Sequence, residues 1–442
     1  MTRRAAWAFA ASLVVGGVGA RAGGQSSGAR VRFESGVMGV AALTHATPAV
    51  FGESRTEGYL TQPNAMLSVT RSALSFTGTL NFEGYTLRRG ELNAGIYGEG
   101  FIDRRHPHTL VHEAVLAVTS PASHGVRASL MAGKGFTPFG TDDPMMRPFV
   151  KYPVNHHHAQ IIERVLVGGT LAWGAVNRRL SVEHAVFNGD EPVGPFMGPQ
   201  WQRVGDSRAT RIALVPFRGL EMQASRAFVR SPGITQGGAF DHTQSSLSIR
   251  IDRAGPMGDE ATTHTMSDHS MSGHAMSGHA MTGSRQYLLA EVARTDEGFG
   301  AFRAFRYQSA LVEGMVSNTG WSGALRLERT DRPESERLLD PFRLPSGHID
   351  FQIVGITRWN VATLNVAALS LSSFGVRRAR WLPQVMPYAE VSIAQPRALL
   401  SPAVFIPRDF YGKPTLWSFT AGLRLHLGTM RSRMGRYGVL AP

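Results

Sequence analysis

Between His264 and Gly283 the chain reads HTMSDHSMSGHAMSGHAMTG. Four histidines (His264, His269, His274, His279) and four methionines (Met266, Met271, Met276, Met281) recur every five residues, each Met two places after a His. Everything between them is Ser, Thr, Gly, Ala or one Asp. Thioether sulfur is soft, neutral and does not titrate, which suits Cu(I). Neutral imidazole binds Cu(I) and Cu(II) as well as zinc, but zinc makes little use of thioethers. The mixed set therefore points to copper as Cu(I) or Cu(II). A His–Met pair two residues apart can chelate one ion from an extended chain, and the small residues leave the backbone free to wrap. Such a string captures and releases metal readily. The competing reading is a low-complexity linker whose repeat grew by slippage.

Other chemistry-bearing residues form weaker patterns. His156, His157 and His158 are adjacent, and neighbours on a strand point to opposite faces, so at most two converge. His106, His108 and His112 alternate in RRHPHTLVHE and read as surface or pore-mouth histidines. Asp142 and Asp143 are adjacent and would diverge, and Glu183 with His184 is simple alternation. No nucleophile elbow, HExxH or phosphate loop occurs. A hydrolytic barrel with its triad spread over strands is the remaining catalytic option, and the expectation is that the protein is not an enzyme.

The elements that carry these residues begin with an export signal. MTRRAAWAFAASLVVGGVGARA has basic Arg3 and Arg4, an apolar run Ala5–Ala20 and a small-x-small Ala20-Arg21-Ala22, which fits a signal peptide over 1–22. Its loss lowers the formal charge of +13 by three. No later segment reaches the run of about 18 apolar residues that a membrane helix requires. The 442 residues contain no Cys, where a small exported fold would be expected to use disulfides. Arginines are spread along the chain and not clustered, so nucleic acid is not expected as a partner.

From about residue 30 onward the dominant pattern is period two. In Leu416–Gly428, Trp417, Phe419, Ala421, Leu423, Leu425 and Leu427 share one face, and Ser418, Thr420, Gly422, Arg424 and His426 the other. Leu74–Glu83, Ser246–Asp252 and Trp321–Thr330 repeat the pattern. The strands expected are 31–42, 65–84, 91–101, 110–119, 126–135, 160–173, 178–187, 208–216, 220–229, 244–253, 285–295, 302–316, 321–331, 348–367, 382–394 and 416–428. The segment 348–367 needs a phase slip near Val361, read as a bulge.

Short turns are expected at Leu87–Gly90, Ser120–Gly125, Gly174–Asn177, Phe217–Gly219 and Ser317–Gly320, with mostly longer connections between them, among them 43–64 and 136–159. An even number of strands with short turns on one side and long loops on the other describes an all-β, antiparallel transmembrane barrel of about 16 strands in a bacterial outer membrane. It would occupy 23–428, with a flexible His/Met-rich insertion at 254–284 and a basic tail at 429–442 lying in the periplasm. A soluble periplasmic sandwich or barrel is the alternative. Counting strands from either side places the insertion at the short-turn, periplasmic end, against the general preference for long insertions outside.

The polar faces of three strands each carry an arginine: Arg250, Arg326 and Arg424, with Glu328 beside them. Both signs on the lumen face mean either a constricted wet pore with a modest preference for anions or a packed interior crossed by ion pairs.

The stretch MAGKGFTPFGTDDPMMRPFVKYP carries Gly133 and Lys134 at a strand end, then Pro138, Phe139 and Gly140, with Asp142 after them. It resembles porins of the phosphate-selective type over some ten residues. That resemblance implies a porin barrel with a basic, anion-selecting pore. No lysine cluster matches the family's anion site; arginine takes its place, so the solute is not carried over. The His/Met string is similar in repeat chemistry to outer-membrane copper-resistance proteins.

The resulting expectation is a porin-like outer-membrane channel, surrounded by outer-membrane lipids and passing a small solute or metal ion, with the string concentrating copper near its mouth. A non-conducting metal-binding barrel and an anion-leaning porin with an inert linker are the alternatives. Sixteen-stranded barrels commonly form homotrimers.

Overall fold

A computed structural model of the protein describes residues 31–48, 52–87, 109–141, 144–154, 161, 164–175, 177–190, 192, 195–230, 240–254, 285–318, 320–333, 356–369, 384–399, 406–428 and 433–440. Among them are sixteen long antiparallel strands: β1 Val31–Thr47, β2 Arg55–Arg71, β3 Leu74–Asn81, β4 Val111–Thr119, β5 Val126–Gly135, β6 Arg164–Ala175, β7 Arg178–Phe187, β8 Ser207–Phe217, β9 Leu220–Val229, β10 Asp241–Ala254, β11 Arg285–Phe299, β12 Phe302–Ser317, β13 Trp321–Pro333, β14 Ile356–Ala368, β15 Gln384–Ala398 and β16 Leu416–Gly428. Each pairs with its neighbours in sequence, and β16 pairs with β1 from Gly36↔Gly428 to Thr47↔Trp417. The barrel is therefore closed, and no strand edge is left without a partner.

Period-two sequence makes this a barrel with two different faces. Leu43, Leu130, Leu171, Leu247, Val292, Leu325 and Leu364 all point outward and are exposed, a belt suited to lipid. Aromatic side chains stand on the same face towards both strand ends: Phe33, Trp173, Phe217 and Trp321 towards one end, Trp417 and Phe419 towards the other. Such girdles mark the two membrane interfaces of an outer-membrane barrel. The inward residues are buried and include many Ser, Thr, Asn, Glu and Arg beside Ala, Tyr and Met.

Connections 72–73, 120–125, 176–177, 218–219, 255–284, 318–320 and 370–383 lie at one end, together with the start of β1 and the end of β16. The remaining connections lie at the other. Ala254 pairs directly with Arg285, so the His/Met string leaves and rejoins the wall at the short-turn end, as strand counting predicts. The string itself lies outside the described residues.

Several expectations need correction. The expected connection 43–64 is mostly strand, the ends of β1 and β2, joined across 48–54. The expected strand 65–84 is the end of β2 and all of β3, turned at Ser72, where φ is +53°. Leu87 follows a single helical turn at the long-connection end, so Leu87–Gly90 is not one of the short turns. The expected strand 91–101 lies outside the described residues. The count of sixteen described strands stands without it, because 65–84 holds parts of two. β14 runs in unbroken register with both neighbours, so the phase slip near Val361 is absent. Bulges fall elsewhere, notably between Met38 and Val40, where Gln62 and Pro63 oppose Gly39. Proline is tolerated there because a bulge asks for no ladder hydrogen bond. The tail is not free beyond the barrel end: residues 433–440 are folded into the lumen.

Candidate functional site: two segments inside the barrel

The chain that leaves β5 turns inward and crosses the barrel. Its first residues are those of the porin-like motif. Gly133 has φ +144°, and a Cβ there would come within 2.1 Å of the Ala114 carbonyl oxygen, so only glycine fits against β4. Lys134 is buried and donates to the Thr109 hydroxyl. Phe139 is buried beyond Pro138. The Gly140 amide donates to Ser225 Oγ on β9 at 2.9 Å. Asp142 lies outside the described residues. Thr141 donates to Glu291 Oε2 on β11 at 2.6 Å and accepts from Arg147 Nη2 at 2.9 Å.

On the far wall the segment is held through its own backbone. The Val150 and Lys151 amides donate to the two oxygens of Glu390 on β15, at 2.8 and 2.9 Å. The Val154 amide donates to Glu328 Oε2 at 2.9 Å. Arg326 Nη2 donates to the Lys151 carbonyl at 2.7 Å, with its guanidinium 4.6 Å from the centre of the Phe149 ring. Arg424 donates to the Arg147 and Pro148 carbonyls. Charge-assisted bonds of this kind are stronger than neutral ones and fix position.

The expected pore-lining residues therefore all face inward, with different duties. Arg326, Glu328 and Arg424 clamp the crossing segment 136–154. Arg250 lies nearer the short-turn end, 2.6 Å from Asp252 and 4.9 Å from the centre of the Tyr287 ring. Ion pairs and a segment crossing the barrel occur together inside the wall.

The second segment enters from the short-turn end. Arg433 makes a bidentate contact with Glu221 on β9 at 2.7 and 2.9 Å. Arg436 reaches Glu183 on β7 at 3.2 Å. Burial, with Arg211 and Arg433 close by, pushes the Arg436 guanidinium down to about 10, so it stays charged at neutral pH. Tyr437 donates to Glu113 Oε1 on β4 at 2.8 Å, and the Val439 amide donates to Ser129 Oγ at 3.2 Å. Val439 and Leu440 pack on Ala172.

The two segments touch. Arg211 on β8 is held by both oxygens of Glu183 at 2.7 Å. Its remaining donors reach the Gly140 carbonyl of the first segment and the Gly435 carbonyl of the second, each at 3.2 Å. The Phe136 amide donates to Tyr437 Oη at 3.0 Å. Gly435 has φ +72°, and a Cβ there would lie 2.9 Å from Phe136 Cβ.

Sequence reading set Glu183 aside as simple alternation with His184, and it missed Glu113, Arg211, Glu221, Glu390, Arg433, Arg436 and Tyr437. Their inward phase on period-two strands was the available signal for the wall residues. Of the other candidates, His112 is buried in the wall, with its ring edge-on to Phe136 at 5.3 Å between centroids. His106, His108, Asp143 and His156–His158 lie outside the described residues, as do all eight His and Met positions of the string. Among the described residues no group of three or more His, Asp or Glu side chains is placed to hold a metal ion.

No protein-family model matches the chain, and no curated protein matches it. Solved structures of similar shape include OmpT, an outer membrane protein of Vibrio cholerae in trimer form, 11% identical with a TM-score of 0.45, covering 90% of this chain and 99% of that one. The anion-selective porin from Comamonas acidovorans is 10% identical with a TM-score of 0.38 over 90% of this chain and 100% of its own. OccK3 from Pseudomonas aeruginosa is 11% identical with a TM-score of 0.39 over 90% and 96%. Likeness at this level adds nothing to what the strands establish by themselves: an outer-membrane β-barrel of sixteen strands.

Proposed function

We propose that the protein is a passive outer-membrane channel for a small solute, narrowed by segment 136–154 and held in a restricted state by segment 433–440. The observation that carries this reading is Arg211, whose one guanidinium binds a carbonyl of each segment. A barrel of sixteen strands is wide enough to leave an aqueous path unless something fills it, and here two segments enter from opposite ends. The lumen presents arginines and glutamates together, most of them engaged with these segments, so selectivity would come from the gap the segments leave and not from a free basic patch. The reading places the long-connection end outside and the tail in the periplasm-facing half. A homotrimer accompanies it, and light scattering in detergent checks the mass.

The test is conductance in planar bilayers. The reading expects small discrete steps from the full-length protein. Absence of steps both from it and from a form lacking residues 429–442 would leave the non-conducting barrel as the correct account.

The His/Met string adds copper handling to the proposal. Its support is chemical, soft thioethers paired with imidazoles, and positional, since its two anchors meet at the short-turn mouth. Cu(I) competition titration of the intact protein against a form lacking residues 264–283 tests it. Equal uptake by both would reduce the string to a linker.

A further inference from the structure

On the outer face of the wall, across β9 to β14, lies a groove of about 660 Å³. Its floor and lower wall are small or apolar: Ala224, Ser245, Leu247, Val292 and Ala310. Its upper part is lined by Arg294 and Arg358, with Gln308 and Asp331, and Arg329, paired with Ala310, stands at the side of the apolar row. Strand register explains the division. Ser245 pairs with both Arg226 and Arg294, Arg294 with Gln308, and Asp331 with Arg358, so one ladder of outward residues is polar. Two residues further along each strand, towards the short turns, the outward positions are Leu247, Val292 and Ala310. The polar ladder lies towards the long-connection ends of its strands, where the apolar belt stops.

The charge there is lopsided. Asp296 accepts from Arg294 at 2.5 Å and from Arg306 at 2.7 Å. Asp331 is gripped by Arg358 at 2.6 and 3.0 Å. Arg226 and Arg329 stand on the same outward face, so five guanidiniums face two carboxylates around one groove. Charged side chains on a lipid-facing surface are costly unless something there compensates them.

We propose that this groove binds a phosphorylated glycolipid of the outer leaflet, with phosphate on the arginines and an acyl chain along Ala224, Leu247, Val292 and Ala310. Planar guanidiniums match phosphate oxygens in pairs, and the small residues leave room for a chain between the strand ridges. The choice of leaflet rests on the long-connection end facing outward, as proposed above. The binding itself does not, because it can be measured in detergent without orientation.

The experiment is native mass spectrometry of the full-length folded barrel in detergent, titrated with bisphosphorylated lipid A. Folding of each form is checked by its heat-dependent gel mobility. The wild type should retain lipid A. R294Q/R329Q, which spares the Arg358–Asp331 pair, should weaken retention by about tenfold or more. R218Q/R253Q, at the opposite end of the barrel, should not. Equal retention by R294Q/R329Q and the wild type would overturn the proposal. So would equal losses in both double variants, which would indicate unspecific charge, and so would displacement of lipid A by millimolar inorganic phosphate, which would indicate a free-anion site. Conductance of R294Q/R329Q should match the wild type, since both side chains point away from the lumen. A failure of this proposal thus leaves the channel reading standing, and the reverse.

Discussion

The hydroxyl of Tyr437 accepts the backbone amide of Phe136 at 3.0 Å while donating to Glu113 at 2.8 Å. One phenol thus meets the first residue of the segment that crosses the barrel, joining the tail to the element proposed to narrow the channel. Tyr437→Phe removes both bonds and leaves a buried amide and a buried carboxylate oxygen without that partner, a cost of about 1–3 kcal/mol. Heat-dependent gel mobility should be unchanged, because the barrel wall is untouched, while trypsin should cleave after Arg433 and Arg436 faster than in the wild type.

Arg211→Lys should behave as a loss and not as a conservative change. A lysine cannot grip Glu183 through two bonds and still reach the Gly140 and Gly435 carbonyls, because the geometry needs a planar fork. The charge beside Glu183 remains, but each lost bond from the charged group to a carbonyl costs about 1.5–3 kcal/mol. Single-channel recordings should show noisier and larger steps, and denaturant midpoints should fall.

Glu390→Ala removes the acceptor for two consecutive amides, Val150 and Lys151, and a partner of Asn365. The crossing segment should loosen on that wall while the tail stays docked. Conductance should rise and discrimination between small and larger solutes in liposome-swelling assays should fall. Unchanged size discrimination would show that the segment does not set the path.

Gly435→Ala adds a Cβ at a left-handed residue, at a cost of about 1 kcal/mol, and directs it against Phe136. The tail should undock part of the time, read as faster trypsin cleavage after Arg433, with the crossing segment's contacts to Glu390 and Glu328 retained.

Much of the wall was legible in the sequence. The strands at 126–135, 178–187, 220–229 and 416–428 match their observed bounds because alternation is strict and turn residues close them. The turn at Ser72 carries neither glycine nor proline, so 65–84 reads as continuous; the trace it leaves is a change of phase, Leu67 and Val69 at odd positions and Leu74 and Phe76 at even ones. Pro63 hid β2 because a bulge, which tolerates proline, is invisible to a period-two rule. Inward Arg326, Glu328 and Arg424 could be placed on the lumen face by parity alone. Their clamping of residues 147–154 could not, since that depends on a loop folding back through the barrel. Tail docking was least legible: Tyr437 meets Glu113, and Arg433 meets Glu221, across more than two hundred residues of chain. Only the opposite signs, a basic tail and glutamates facing inward, hinted at it.

The central claim is that residues 433–440 restrict the path through the barrel. It is tested most directly by single-channel conductance of the full-length protein beside a form lacking residues 429–442, in the same bilayers and salt. The account predicts larger unitary steps from the shortened form, with folded-barrel gel mobility retained. Equal steps from the two would contradict it.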